Sequence, residues 1–220
     1  MYGGIFKLVF GKIEYLNLLP FHVFMKRFSR SSRESMTMEY KKSVPAKINI
    51  LYEKHLVDAA FISSIKAKKQ KYAKLGIIAK KEVCSVIVIP SDESKKDKES
   101  ATSNVLANIL GVHGEVLIGD KALKYYLSGK PHIDLAKLWN EKYHFPFVFA
   151  LLTYHKHTTQ IKKIEKNFSK TKVKIPRYIL KAASLRTGIE ENEILHYLEK
   201  ISYTLDQKAA KGLKKFYQLI

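Results

Sequence analysis

The chain has 220 residues, of which 46% are hydrophobic and 27% are charged, enough for a substantial core in one large domain or two small lobes. Apolar residues occur along the whole chain, which argues against disorder, and no apolar run reaches the roughly 20 residues of a membrane span. The N-terminal run Ile5–Phe10 is too short for a secretory signal, so we expect a cytoplasmic protein without a membrane partner.

The formal net charge of +20 comes from 40 lysines and arginines against 20 acidic residues. The lysines are scattered in short clusters, and no finger, basic zipper or RNA-binding strand motif accompanies them, so we predict a solvated surface and no nucleic-acid partner. A positive field of this kind also attracts small dianions. The single cysteine, Cys84, lies in the apolar run Val83–Ile89 and is predicted to be a buried structural thiol.

The first half of the chain alternates apolar runs with helical patterns, which is typical of βαβ units and a mostly parallel sheet. The predicted strands are Lys7–Ile13, Met36–Lys41 and Val57–Ile62. Helices are predicted from Leu18 to about Phe28, from Pro45 onward, and over Ile65–Tyr72, with a polar loop at Ser29–Ser35.

The second half begins with two more apolar runs and a polar loop that marks the passage into a second lobe. The predicted elements there are Leu75–Ala79, Val83–Ile89, the loop Pro90–Ser100, the helix Asn104–Leu110, the strand Glu115–Ile118, the helix Ala122–Leu127 and the strand Phe145–Leu152. The last third is helical, with a capping box predicted from Thr187 to Glu190 and Asp206 predicted to cap the final helix.

Short polar residues follow the predicted strands, where open α/β sheets bind their ligands. Asn17, the pair Ser63-Ser64 and Asp120 come directly after strands, and a run from Ser100 to Ser103 opens a helix whose free amides favour an anion. The plainer alternative is that these residues are ordinary caps and turns. Their shared placement favours a cleft for a small carboxylate ligand. The isolated pair His155 and His157 lacks a third ligand, so we predict solvated histidines and no metal site.

Several sequence blocks, in order along nearly the whole chain, resemble the chorismate dehydratases of the futalosine route to menaquinone. They are Tyr15–Pro20, Val44–Ala46 with Asn49, Val57–Ser64, Ser85-Val86, Ser100–Ser103, Val116–Leu123, Asp134-Leu135 with Trp139, Phe145–Ala150, Tyr197–Tyr203 and Gly212–Phe216. Two positions depart from the family pattern, with Ala136 in place of a glycine and Lys121 in place of an acidic residue, and the second lobe is shortened between Leu110 and Glu115.

The resemblance implies an α/β, two-lobed fold of the type II periplasmic-binding-protein kind, with the ligand in an interlobe cleft. It places residues 1–86 and 150–220 in lobe 1 and residues 87–149 in lobe 2. The implied crossings between the lobes are Cys84–Ile89 and Phe147–Thr153.

The implied reaction removes water from chorismate and gives 3-[(1-carboxyvinyl)oxy]benzoate, which makes the protein a carbon–oxygen lyase. Asn17 is the implied catalytic residue, beside the reacting edge of the ring. The implied substrate-binding residues are Tyr15, Ser63, Ser64, Ser85, Ser100, Thr102, Ser103 and Asp120, the last of which has a helix-capping alternative. The partner is the small dianion chorismate, and a redox-neutral elimination implies no metal or organic cofactor.

Two other functions fit the same fold. One is the sister enzyme of the pathway, 1,4-dihydroxy-6-naphthoate synthase, although the corner Tyr15-Leu16-Asn17 favours the dehydratase. The other is a non-catalytic protein that binds a small anion, because fold does not determine function. The oligomeric state stays open.

Overall fold

The computed structural model describes residues 7–31 and 37–220. Their strands are β1 (Lys7–Lys12), β2 (Thr37–Lys42), β3 (Ala59–Ser63), β4 (Tyr72–Ala79), β5 (Val86–Pro90), β6 (Gly114–Ile118), β7 (Ile133–Asp134), β8 (Phe147–Tyr154) and β9 (Ile201–Thr204). Their helices are α1 (Leu19–Ser31), α2 (Pro45–Glu53), α3 (Ser64–Ala67), α4 (Ala101–Leu110), α5 (Gly119–Leu127), α6 (Leu135–Tyr143), α7 (Thr158–Lys170), α8 (Arg177–Thr187), α9 (Glu191–Glu199) and α10 (Gln207–Gln218), with a 3₁₀ helix at Leu16–Leu18.

The larger sheet has six strands in the order β2-β1-β3-β8-β4-β9. Strand β1 pairs in parallel with β2 and β3, as the βαβ pattern predicts. Strand β8 then enters between β3 and β4 and is antiparallel to both. Because these strands are parallel, the C-terminal ends of β1 and β3 lie on the same side of the sheet. Asn17 follows β1 there, and Ser63 is the last residue of β3.

The smaller sheet has three strands in the order β6-β5-β7, all antiparallel. The chain reaches it through residues 80–85 and leaves it through residues 144–146. The runs predicted to cross between the lobes contain β5, which pairs within the smaller sheet, and β8, which pairs within the larger one. Their role as crossings stays a prediction. The predicted lobe boundaries, 1–86 with 150–220 and 87–149, stay predictions.

Aromatic side chains pack the core on both sides of the molecule. Phe21 of α1 contacts Phe61 of β3 and Phe168 of α7, with ring centroids 4.9 and 5.2 Å apart. Trp139 of α6 meets Phe147 of β8 at 5.1 Å, edge to face. Such ring pairs stabilise the core by more than the burial of their apolar surface alone. They pack helices from different parts of the chain against the larger sheet. No helix of residues 7–31 and 37–220 combines the length and apolar character of a membrane span.

Two of the predicted helix ends differ from the structure. The predicted capping box is wrong, because Thr187 is the last residue of α8 and Gly188 ends that helix in the left-handed conformation, with φ of 67°. The predicted helix over Ile65–Tyr72 ends at Ala67, and Tyr72 opens β4 because it pairs with Thr153 of β8. Asp206 is confirmed as a cap, accepting from the Ala209 amide at 2.8 Å.

Other predicted ends shift modestly. Helix α1 continues to Ser31, so the start of the predicted loop Ser29–Ser35 is helical, and the rest of that loop and Met36 lie outside the described residues. Cys84 is buried, as predicted, and burial raises the pKa of its thiol to about 12. His155 is not simply solvated, because its ring stacks on Tyr52 at 3.9 Å and its Nε2 lies 2.9 Å from the Tyr52 carbonyl oxygen.

The Asp134 carboxylate holds the first link between the sheets. One oxygen accepts from the amides of Val83 and Cys84 at 3.0 and 2.6 Å. The other caps α6, accepting from the amides of Ala136 and Lys137 at 2.9 Å each. Burial raises the pKa of this carboxyl, although the hydrogen bonds from the four backbone amides oppose the shift. The Asp134 side chain thus joins the link at residues 80–85 to the first turn of α6.

We expect Asp134→Ala to lower the free energy of unfolding by about 3 kcal/mol, because it leaves several buried amides without an acceptor. Urea denaturation would measure the change. Asp92→Ala, an exposed aspartate in the loop after β5, is the matched control and should alter stability by less than about 0.5 kcal/mol. Equal effects of the two changes would contradict the role of Asp134.

Gly212 of α10 touches the second link. A Cβ there would lie 2.3 Å from the Pro146 carbonyl oxygen, so Gly212→Ala should destabilise the protein by about 2 kcal/mol through steric overlap. An alanine in a helix otherwise stabilises by about 1 kcal/mol over glycine, so the sign of the change is diagnostic. Thermal unfolding against the exposed neighbour Lys211→Ala would measure it, and a stabilised Gly212→Ala would exclude close contact.

Candidate functional site

A cavity of about 80 Å³ lies between the two sheets. Its wall combines the segment after β1, the end of β3, the link before β5, the start of α4, the start of α5 and the middle of β8. The lining residues are Ile13, Tyr15, Asn17, Leu18, Pro45, Phe61, Ser63, Ile77, Val83, Ser85, Val86, Glu99, Ser100, Ser103, Ile118, Gly119, Phe149 and Ala150. Both parts of the chain therefore contribute, as the sequence predicts for an interlobe cleft.

The corner after β1 presents Asn17 to this cavity. Leu16 and Leu18 are buried on either side of it, and they anchor the short 3₁₀ helix. The Leu16 amide donates to Asp120 Oδ1 at 2.9 Å, and the Tyr203 hydroxyl donates to the Asn17 carbonyl oxygen at 2.8 Å. The backbone of the corner is thus held from two directions, while the half-buried Asn17 side chain lines the cavity.

Asp120 supports the corner from the first turn of α5. Its second oxygen, Oδ2, accepts from Arg186 Nη1 of α8 at 2.9 Å. The helix-capping alternative is wrong, because Ile118 occupies the cap position and no side chain bonds to the first amides there. Asp120 does not line the cavity, and its predicted contact with substrate stays a prediction.

Tyr15 is the first residue of the corner and contacts the start of α5. Its ring covers Gly119, where a Cβ would lie 2.7 Å from the ring, and Gly119 has φ of 69°, a conformation that suits glycine. The Tyr15 hydroxyl donates to Oε2 of Glu99. Burial, and next the bond to Glu99, raise the pKa of this phenol, so Tyr15 acts as a hydrogen-bond donor at neutral pH.

Four of the predicted serines line the cavity. Ser85 Oγ accepts from the buried Tyr197 hydroxyl at 2.8 Å, and burial raises the pKa of that phenol. Ser63 Oγ accepts from Asn49 Nδ2 at 3.3 Å. Ser100 Oγ accepts from the Ser103 amide at 3.1 Å and donates to Ser103 Oγ at 2.7 Å. These bonds orient the hydroxyls and leave each of them lone-pair or donor capacity.

The other two predicted hydroxyl residues lie behind the wall. The Ser64 hydroxyl donates to the Val148 carbonyl oxygen at 2.5 Å. Thr102 Oγ1 accepts from the Ile65 amide at 3.2 Å. Both side chains are buried and join α3 and α4 to their neighbours. Neither lines the cavity, so the structure brings Tyr15, Asn17 and four serines together and separates Ser64, Thr102 and Asp120 from them.

Two helix N-termini lie at the cavity, and no lysine, arginine or histidine is among its described lining residues. Helices α4 and α5 both begin there, at the Ser100–Ser103 turn and at Gly119. The first amides of a helix lack partners within the helix, and its dipole places positive potential at that end. Two such ends with several hydroxyls provide donors for carboxylate oxygens.

Two residues of this region were not predicted: Glu99, which lines the cavity, and Tyr197, which does not line it but donates to Ser85. Glu99 precedes the Ser100–Ser103 turn directly, which is a signal that could have identified it. Tyr197 lies in an apolar stripe of α9, and only its bond to Ser85, 112 positions away, connects it with the site.

The chain matches the family model described as menaquinone biosynthesis over residues 8–115 and 109–220. A curated relative, the chorismate dehydratase of Campylobacter jejuni, is 42% identical over 215 residues, which are 95% of this chain and 96% of that one.

Two solved structures resemble the fold. Protein AF1704 from Archaeoglobus fulgidus has a TM-score of 0.72 at 12% identity, with 97% of this chain and 96% of that chain covered. The periplasmic aliphatic sulphonate binding protein SsuA from Escherichia coli has a TM-score of 0.58 at 10% identity, with 98% and 93% covered.

The structural likeness confirms the predicted two-lobed periplasmic-binding-protein fold, and the sequence likeness is carried by nearly the whole chain. The chain belongs to the chorismate dehydratase family of menaquinone biosynthesis.

Proposed function

We propose that this protein removes water from chorismate and gives 3-[(1-carboxyvinyl)oxy]benzoate, acting as a carbon–oxygen lyase. The observation that carries the proposal is the convergence of Asn17 and four serines on one interlobe cavity in a chain of this family. Chorismate is a dianion with two carboxylates and one hydroxyl, and the polar groups of the cavity suit such a ligand.

The carboxylates bind to hydroxyls and helix amides in this proposal, and no cation contacts them. Ser100 and Ser103 lie at the start of α4, and Ser85 lies beside the start of α5 through a bond from the Gly119 amide to its carbonyl oxygen at 2.8 Å. Ser63 faces them from the end of β3. Neutral donors of fixed geometry bind a carboxylate without the desolvation of a second charge.

Asn17 acts at the reacting edge of the ring. A proton leaves C3, hydroxide leaves C4, and the ring becomes aromatic, which provides much of the driving force. An amide is a poor base, so its contribution is to orient the departing hydroxyl and to stabilise developing charge. The bonds that fix the backbone of the corner, from Leu16 to Asp120 and from Tyr203 to Asn17, hold the side chain for this task.

Ser64, Thr102 and Asp120 act as positioning residues in this proposal. Their polar atoms bond to Val148, Ile65 and the Leu16 amide respectively. Substrate contact by any of them requires a rearrangement of these bonds.

Substrate entry requires the lobes to part. The cavity holds about 80 Å³, while ordinary ligand pockets measure roughly 300–1,000 Å³. We infer that chorismate enters an open form and that closure excludes water around the reacting centre. The proposed elimination is redox-neutral, and the prediction of no cofactor rests on that chemistry alone.

Purified protein treated with chelator should convert chorismate into a species lighter by one water that retains the enolpyruvyl group. Liquid chromatography with mass detection would follow both compounds. Chorismate recovered unchanged from folded protein would overturn the proposal. Turnover of a cyclised futalosine derivative would then favour the sister synthase, and binding of chorismate without turnover would favour a non-catalytic role.

Asn17→Ala should lower kcat about 100-fold, as expected for the loss of a group that stabilises the transition state. KM should change less, because the carboxylates are bound by other residues. Steady-state kinetics would separate the two parameters. Asn108→Ala, on the exposed side of α4, is the matched control and should retain full activity. Equal activity of both variants would remove Asn17 from the mechanism.

A further inference from the structure

Glu99 is the one carboxylate among the described residues that line the cavity. It is half-buried and lies directly before the N-terminus of α4. Its amide donates to Asp97 Oδ1 at 2.7 Å, and the Asp97 amide in turn donates to Asn104 Oδ1 at 2.9 Å. The backbone that carries Glu99 is therefore held by the first turns of the helix.

A carboxylate in a cavity for a dianion repels the ligand unless it meets a donor. Tyr15 supplies one donor through its hydroxyl. An ionised carboxylate has two oxygens and about four acceptor positions, so Glu99 has capacity for another. No lysine or arginine lines the cavity to neutralise it. Within the cavity, Glu99 therefore provides an acceptor for a donor on the ligand.

Chorismate carries one O–H donor, the hydroxyl at C4, and its other oxygens are acceptors. We propose, on the basis of the proposed function, that Glu99 binds the C4 hydroxyl and so determines which end of the substrate faces Asn17. This assigns Glu99 as a substrate-positioning and specificity residue, with Tyr15 holding its carboxylate. The like charge of Glu99 also keeps the two substrate carboxylates at the serine-lined parts of the cavity.

The reaction product provides the decisive probe. It retains both carboxylates and the enolpyruvyl ether of chorismate and lacks the C4 hydroxyl. A residue that binds that hydroxyl affects chorismate and leaves product affinity unchanged or improved. A residue that only holds the lobes together affects both ligands alike.

The experiment compares Glu99→Gln with the wild type and with Glu115→Gln, a half-buried glutamate outside the cavity that pairs with Lys95. The glutamine keeps an acceptor for Tyr15 and removes the charge. We expect kcat/KM for chorismate to fall about tenfold, because hydrogen bonds to charged groups are stronger than neutral ones. The inhibition constant of the product should stay equal or decrease, and Glu115→Gln should match the wild type.

Three results would overturn the inference. They are an unchanged kcat/KM in Glu99→Gln, equal losses for chorismate and product, and a gain for both. Thermal unfolding of the variant would show that it is folded. Tyr15→Phe should reproduce the selective loss for chorismate in part, and an equal loss for both ligands there would also contradict the role given to Tyr15. A wild-type protein that does not turn over chorismate would instead refute the proposed function.

Discussion

The geometry of the site depends on the hydrogen bonds that the Asp120 carboxylate accepts. It belongs to the first turn of α5, yet its two oxygens hold the Leu16 amide of the opposite corner and the guanidinium of Arg186. Hydrogen bonds to charged groups are stronger and more directional than neutral ones. A single side chain therefore sets the position of the Tyr15–Asn17 corner relative to the second lobe, and Asp134 does the same for the link at residues 80–85.

The chain as a whole is strongly basic, but the described wall of the cavity is not. The chain has a net charge of +20, whereas the described wall of the cavity has no cation and one carboxylate. A positive field of this kind raises the encounter rate of a small dianion, while in the proposed function binding depends on hydroxyls and helix ends. A long-range field depends on the total charge and not on the exact positions of the lysines, so their scattered placement is compatible with this role. In the proposed function, the chemistry of the site depends instead on a few serines, Tyr15, Asn17 and Glu99.

Local spacing predicted some features correctly and misled on others. The caps at Ser100 and Asp206 depend on residues three positions apart and were predictable from the sequence. The Thr187 pattern has the same spacing, but Gly188 takes the left-handed conformation and ends α8 there. Strands β1 and β3 were predicted from their apolar runs. Tyr72 instead belongs to β4 because it pairs with Thr153 of β8. Short-range chemistry was therefore reliable only where no distant strand or helix competed.

The amino-acid pattern alone indicated the α/β character and four residues that line the cavity, Asn17, Ser63, Ser100 and Ser103. The resemblance to the family added the order of the blocks and two further lining residues, Tyr15 and Ser85. Asn17 and Ser63 lie where a strand ends, and Ser100 and Ser103 lie where a helix begins, so neighbouring residues indicate their placement. Only the tertiary structure decided that Glu99 meets Tyr15 from 84 positions away and that Asp120 holds Leu16 across 104 positions. It also decided that Ser64 and Thr102 lie behind the wall. Contacts over such separations depend on how the lobes pack, and local pattern has no information about that packing.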